Sequence, residues 1–226
     1  MNSVNAVKQL LLQSGAGWVL WFLAGLSVIT LAICVERWFF YLARHCDVQV
    51  LARSVGDQLA ARDFAAAIET LAKSRSVAAA IAAAGLQFAE RGPASAERAM
   101  QSAVALERGR LERGLAYLGT LGNNAPFIGL FGTVIGIIGA FEELGRAAPA
   151  RGAAELASQA VMSSIAEALV ATALGILVAL PAIAAYNYFQ RRIAALLLTT
   201  DVLSNLVLAH LADRTARATG TDGMAG

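Results

Sequence analysis

Hydrophobic residues along this chain gather into three long runs, which are separated by segments that carry most of the charge. The runs cover residues 18–35, 118–141 and 160–189. A helix needs about 20 apolar residues to cross the hydrocarbon core of a lipid bilayer, so each run is a candidate transmembrane helix. The third run is longer than one crossing requires, and we expect its helix to protrude from the membrane. The pattern predicts an all-α integral membrane protein with three spans and long helical extensions.

The region between the first and second spans, residues 36–117, reads as a set of helices. Residues 48–61 and 77–88 each have an apolar face at helical spacing. Asp63 is a suitable N-cap for a further helix between them, because its carboxylate can accept backbone N–H groups of the first turn. We therefore expect this region to be helical throughout, with Gly and Pro marking its breaks.

Apolar positions recur every three or four residues from residue 96 onward and lead directly into the second span. This spacing predicts one continuous helix from residue 96 into the membrane. The same spacing after the third span predicts a C-terminal helix over residues 190–212. The last segment, 213–226, is small and polar and contains glycine, and we expect it to be a disordered tail.

Composition narrows the class of protein and excludes several functions. Apolar residues make up 58% of the chain and charged residues 15%, which is typical of membrane proteins. A net charge of +2 with scattered basic residues offers no patch for nucleic acid. The two cysteines and two histidines form no disulfide framework or metal-ligand pattern, so we expect no metal and no cofactor. The glycine-rich second span lacks the spacing of a nucleotide-binding loop, which argues against an enzyme.

Lys and Arg are distributed unevenly around the spans. Eleven lie between the first and second spans, two between the second and third, one before the first span and four after the third. Because positive residues favour the cytoplasmic side, residues 36–117 and the C-terminus are expected in the cytoplasm. The N-terminal segment 1–17 and the loop 142–159 are expected on the opposite, outer side.

Glu167 is the only charged residue in the third run. A carboxylate inside a bilayer costs several kcal/mol unless it is neutralised, paired or hydrated, and such residues commonly mark ion or proton paths. Small residues share its side of the helix, among them Ala171 and Gly175. The alternative is an acid that reaches the outer interface, and the apolar residues that continue outward from Glu167 favour the intramembrane position.

The second span carries a stripe of glycines that share one helical face, namely Gly129, Gly132, Gly136 and Gly139. Small residues let transmembrane helices approach closely, so the stripe predicts packing against another helix. Thr133 lies beside the stripe, where its hydroxyl either bonds back to the carbonyl of Gly129 or faces a polar passage. Thr172 in the third span has the same two alternatives. Pro181 removes one backbone hydrogen bond and predicts a bend in that span.

Two strings within these spans resemble a known family. APFIGLFGTVIGII, at 125–138, and IAEALVATALGILVALPAIAAYN, at 165–187, are similar to the core signature of the ExbB/TolQ/MotA family of ion-driven motor subunits, and within it to the ExbB/TolQ branch. The order of one span, a large cytoplasmic helical region and two further spans fits the same family.

The resemblance implies a proton channel and motor stator in the bacterial inner membrane, with a periplasmic N-terminus and a cytoplasmic C-terminus. Family members form a homopentameric ring around the membrane helices of a dimeric, single-span ExbD- or TolR-like partner. The resemblance also assigns Glu167 to the proton path, with Thr133 and Thr172 as its polar lining.

The expected function is therefore conversion of the proton motive force into mechanical work on an envelope partner such as a TonB- or TolA-like protein. TonB-type transport is the first expectation, and a Tol-type or motility system is the other possibility. The residues leave sodium open as the ion. A non-conducting membrane scaffold is the alternative function, and it explains the glycine stripe but gives Glu167 no role.

Overall fold

The computed structural model describes residues 17–44, 47–147 and 154–222. These ranges contain seven α-helices, a 3₁₀ turn and no strand, which confirms the expected all-α fold. The helices are α1 (Gly17–Leu42), α2 (Val48–Ala60), α3 (Phe64–Lys73), α4 (Val77–Leu86), α5 (Pro93–Glu112), α6 (Leu115–Ala147) and α7 (Ala154–Asp222), and the 3₁₀ turn is Ala89–Arg91.

Three helices are long and apolar enough to cross a membrane: α1, the part of α6 at Leu115–Gly145, and the part of α7 at Ser158–Arg214. They contain the three predicted spans, and each helix extends beyond its apolar run. Much of the expected loop 142–159 is helical for this reason, apart from residues 148–153, which lie outside the described ranges. Ala, Glu, Leu and Arg are strong helix formers, so a helix need not end where its hydrophobicity ends.

The chain separates into two compact units. The first comprises the described residues up to Val35 together with Gly114–Asn187, and the second comprises Glu36–Arg113 and the residues from Tyr188 onward. The first unit therefore contains the apolar runs, and the second contains most of the charged helices.

The first unit is a packed arrangement of three helices. Its core joins Val19 and Leu23 of α1 to Leu121 and Ala125 of α6 and to Val178 and Ala179 of α7. Many other large apolar side chains of these helices stay exposed in the single chain, as in Trp21 at 82% and Phe127 at 67%. Such a surface suits helices that are surrounded by lipid or by other membrane helices.

Short polar side chains set the helix starts in the second unit. Asp47 accepts the N–H groups of Gln49 and Val50 at the start of α2. Asp63 accepts the N–H of Ala66 at 2.9 Å, which confirms it as the N-cap of α3. The observed ends of α2 and α4 lie within two residues of the predicted ones.

The prediction of one continuous helix from residue 96 into the membrane is wrong. α5 ends at Glu112 and α6 begins at Leu115, and Gly114 between them has a φ of 80°. Glycine adopts this left-handed conformation readily because it has no Cβ. Leu111 and Leu115, on either side of the break, are both buried. The apolar spacing therefore continues through the break and does not reveal it.

The C-terminal helix is longer than expected. α7 continues to Asp222, so residues 213–222 are helical rather than disordered. This stretch contains alanine and arginine, which favour helix, and no proline to end it. The remainder of the expected tail, 223–226, lies outside the described residues, as do residues 1–16 of the expected N-terminal segment.

Candidate functional site

Helices α6 and α7 approach each other along a line of small residues, here called the glycine seam. A Cβ built on Gly129 would lie 2.7 Å from the carbonyl oxygen of Ala171, and one on Gly132 would lie 2.8 Å from the Cβ of Ala171. A Cβ on Gly136 would lie 2.5 Å from the Cβ of Ala168. These distances are too short for real side-chain atoms, so the helices come this close only because the residues are glycines.

The fourth glycine of the predicted stripe departs from the expectation. Apart from the adjoining residues and backbone of its own helix, no atom of the described chain lies within 4 Å of a Cβ built on Gly139. The seam instead continues in the other direction through Gly122 and Gly119, which lie against Ile183 and Tyr186 of α7. Both glycines follow the same three- or four-residue spacing, counted through Ala125, so extending that count would have found them.

Two threonine hydroxyls meet within the seam. Oγ1 of Thr133 contacts Oγ1 of Thr172 and lies 3.3 Å from the carbonyl oxygen of Gly129 and 3.1 Å from that of Ala168. Oγ1 of Thr172 lies 3.2 Å from the carbonyl oxygen of Gly129. Each hydroxyl has one proton to donate. The cluster therefore has two hydroxyl protons and four oxygens, namely the two hydroxyl oxygens and the carbonyl oxygens of Gly129 and Ala168. It has more than one hydrogen-bond arrangement.

The two threonines differ in how they use their own helices. Thr133 lies within reach of the Gly129 carbonyl one turn earlier in α6, which is the back-bonded alternative of the sequence. Thr172 lies within reach of the Gly129 carbonyl across the seam in α6, whereas the carbonyl one turn earlier in its own helix, that of Ala168, lies within reach of Thr133. Both side chains therefore connect the two spans.

Glu167 immediately precedes Ala168, whose carbonyl belongs to the threonine cluster. Its side chain is exposed in the single chain and forms no hydrogen bond or ion pair with the described residues. Oε1 of Glu167 lies 3.1 Å from the position that a Cβ would take on Gly17 of α1. No local pattern pointed to this neighbour, since the two residues are far apart along the chain.

The small side of α7 divides into two parts. Ala171, Gly175 and Ala182 are buried, and the first two face the glycines of α6. Ser164 donates a hydrogen bond of 3.2 Å to the carboxylate of Glu143, at the far end of α6. Glu167 thus lies at the edge of the seam rather than within it.

The other predicted features are easily placed. Pro181 lies inside α7, which is one helix on both sides of it, and the predicted bend remains a prediction. Within the described ranges, no three side chains of His, Cys, Asp or Glu come together in a way that would hold a metal ion.

The model of the MotA/TolQ/ExbB proton channel family matches residues 73–201, a range that includes Thr133, Glu167 and Thr172. The chain is 43% identical over 95 residues to the biopolymer transport protein ExbB of Xanthomonas campestris pv. campestris (strain B100), a match that covers 42% of this chain and 35% of the relative.

Two further relatives have similar identities. The Tol-Pal system protein TolQ of Pseudomonas aeruginosa is 45% identical over 95 residues, covering 42% of this chain and 38% of TolQ. A putative biopolymer transport protein, ExbB-like 2 of Helicobacter pylori, is 40% identical over 97 residues, a match that covers 43% of this chain and 61% of the relative. The chain thus matches between about a third and three fifths of the length of these relatives. The family model covers more than half of the chain, and the chain therefore belongs to the MotA/TolQ/ExbB proton channel family.

Proposed function

We propose that this chain is the proton-channel and stator subunit of a motor in the bacterial inner membrane, which converts the proton motive force into mechanical work on an envelope partner. The observation that carries the proposal is the threonine cluster. Two hydroxyls bridge α6 and α7, and one of the oxygens in their reach is the carbonyl of Ala168, the residue that follows Glu167. Glu167 is the only acid in an apolar run. Polar groups at this position are costly in a membrane and are commonly found where an ion or proton passes.

Glu167 is the residue that loads and unloads the proton in this proposal. Burial in lipid favours its neutral form, and water, hydroxyls or a partner's charge favour its charged form. The carboxylate is exposed in the single chain and has no partner within the described residues. A neighbouring subunit can therefore surround the carboxylate with each of these environments in turn. Each proton that crosses the membrane releases about 2.3 kcal/mol per 100 mV, which is enough to drive a rearrangement of packed helices.

The threonine cluster supports this role by its hydrogen-bond chemistry. Each of the two hydroxyls has one proton to donate and more than one oxygen within reach to accept it. Rotation of the hydroxyls alone can therefore exchange one set of hydrogen bonds for another. A switchable pair of hydroxyls orients a water molecule or passes a proton without moving the helices. The glycine seam keeps the hydroxyl oxygens of Thr133 and Thr172 close together.

The assembly that we propose is a homopentameric ring around a dimeric, single-span ExbD- or TolR-like partner, with the N-terminus in the periplasm and the C-terminus in the cytoplasm. The exposed apolar surfaces of α1 and α6 offer room for neighbouring subunits. TonB-type transport, through a TonB-like protein, is the first candidate output. A Tol-type system with a TolA-like protein is the second, since an ExbB and a TolQ match this chain at similar identity.

The test replaces Glu167 by Gln, which keeps the shape and removes the ionisable group, and by Asp, which restores it. The full chain is co-purified with its single-span partner and reconstituted in vesicles, where a pH-sensitive dye measures proton flux. Glu167→Gln abolishes flux and Glu167→Asp retains part of it, while Asp201→Asn, a matched change at an exposed acid of α7, leaves flux unchanged.

Two results contradict the proposal. Full proton flux and full work on the partner in Glu167→Gln would leave the scaffold as the better function. Flux that follows a sodium gradient and ignores a proton gradient would refute the ion assignment. The mass of the native complex, measured in the same preparation, tests the pentamer separately.

A further inference from the structure

A small pocket of about 120 Å³ lies in the second unit. Two arginines, Arg44 and Arg192, line it together with Ser76, Val77 and Ala78 at the start of α4. None of the described residues that line it is acidic. Pockets for drug-sized ligands have volumes of about 300–1,000 Å³, so this one suits a group of only a few heavy atoms.

The two arginines give the pocket a positive charge. Arg44 donates to Glu107 at 3.0 Å, but Glu107 also accepts Arg110 at 2.6 Å, so this cluster of three side chains keeps one net positive charge. Arg192 is partly buried and forms no ion pair or hydrogen bond with the described residues. A partly desolvated guanidinium without an anion is unfavourable, and it is well suited to bind a phosphate with paired N–H groups.

Backbone N–H groups at the start of α4 add further donors. The hydroxyl of Ser76 accepts the N–H of Ala79 at 3.1 Å. Val77 and Ala78 are both 2% exposed, and within the described residues their N–H groups have no acceptor. First-turn N–H groups carry partial positive charge and commonly bind anions, so they reinforce the two arginines.

An aromatic pair indicates the depth of the pocket in the membrane. The rings of Trp38 and Tyr188 stack with centroids 5.7 Å apart, and both side chains are about half exposed. Trp and Tyr are enriched at the level of the lipid headgroups. Arg44 follows Trp38 by six residues and Arg192 follows Tyr188 by four, which corresponds to roughly 6–9 Å at the rise of a helix. This spacing is the one expected for arginines close to the headgroup layer.

We propose that this pocket binds a phosphate group, supplied by the headgroup of an anionic phospholipid such as phosphatidylglycerol. The guanidinium of Arg192 and the N–H groups of Val77 and Ala78 hold the phosphate oxygens, and Arg44 adds charge while paired with Glu107. Basic pockets at the ends of membrane helices are suited to anionic headgroups. Soluble phosphate has the same chemistry, and the headgroup depth of the pocket favours the lipid.

The test compares Arg192→Gln with Arg191→Gln in the full chain. Arg191 is the neighbouring residue, is exposed and does not line the pocket, so both variants lose the same charge from the same helix. Each protein is placed in nanodiscs that contain phosphatidylglycerol diluted in phosphatidylcholine, and native mass spectrometry measures the phosphatidylglycerol that stays bound. We expect Arg192→Gln to weaken retention about fivefold and Arg191→Gln to leave it unchanged.

Equal loss in both variants would show general attraction of lipid to surface charge and would overturn the proposal, as would no loss in either. A second arm adds inorganic phosphate to protein in pure phosphatidylcholine and measures the melting temperature. Stabilisation that Arg192→Gln removes would support the phosphate site with a soluble source. Circular dichroism of each variant verifies that the helices are intact.

Discussion

Gly129 and Gly175 face each other across the contact between α6 and α7. A Cβ built on Gly129 would lie 3.2 Å from the α-carbon of Gly175, and a Cβ built on Gly175 would lie 3.0 Å from the α-carbon of Gly129. Both positions also meet a backbone carbonyl at 2.7 Å, which cannot rotate away as a side chain does. The separation of the two spans is therefore set by the absence of side chains at this point.

Gly175→Ala is predicted to destabilise the protein by about 1–3 kcal/mol, because the added methyl forces the helices apart. Gly139→Ala is the matched control, since its Cβ position is open within the described chain. Alanine favours helix over glycine by up to about 1 kcal/mol, so this variant should be neutral or slightly more stable. Thermal unfolding of the purified chain in detergent measures the stability of both variants. Equal stability of the two variants would contradict close packing at Gly175.

Thr133→Val and Thr172→Val are predicted to be coupled. Each removes a hydroxyl that contacts the other, so the double variant should lose less stability than the sum of the two single variants. Hydrogen bonds between membrane helices have coupling energies of about 0.6–1.7 kcal/mol, and we expect a value in this range. Unfolding measurements on the four proteins give the coupling energy directly. Strict additivity would mean that the two hydroxyls do not interact.

The corresponding serine variants separate the hydroxyls from the methyl groups. Thr133→Val and Thr172→Val remove the hydroxyl donors, and we expect both to lower proton flux. Thr133→Ser and Thr172→Ser keep the donors, and we expect them to retain most of the flux. If the serine and valine variants change proton flux equally, loss of the hydroxyl groups is not the cause of the change.

Gly17→Ala is predicted to reduce proton flux without lowering stability. The new methyl would lie 3.1 Å from Oε1 of Glu167, which is the end of a flexible side chain and can move aside. The packing is therefore kept while the carboxylate is displaced from its position. Gly25→Ala in the same helix has no neighbour within 4 Å in the described chain and serves as the control. Flux in vesicles and the melting temperature are measured in parallel, and equal flux in the two variants would contradict the prediction.

Tyr41→Phe is predicted to destabilise the second unit by about 1–3 kcal/mol. The phenol hydroxyl donates a buried hydrogen bond of 2.7 Å to the carbonyl of Leu111, in the last turn of α5. Its removal leaves this carbonyl without that donor at the point where α5 ends. Tyr188→Phe is the control, because the Tyr188 side chain is 45% exposed and water can replace any bond that its hydroxyl makes. Hydrogen exchange of the last turn of α5 should increase in Tyr41→Phe alone.

Much of the fold could be predicted from the sequence because its strongest signals are local. The three apolar runs, the Asp63 cap and the helical region between the spans each depend on residues close together along the chain. The break at Gly114 could not be predicted this way, because the apolar spacing continues through it and only the backbone conformation reveals the turn.

The candidate site divides in a similar way. The sequence alone determined that Glu167 is the only charge in an apolar run and that glycines form a stripe on the second span, since both are statements about composition and spacing. Only the tertiary structure decided which glycines touch a neighbour, that Thr133 and Thr172 meet, and that Gly17 lies beside Glu167. Helical spacing determines which face of a helix a residue occupies, whereas the depth and rotation at which two helices dock depend on the packing of both surfaces together.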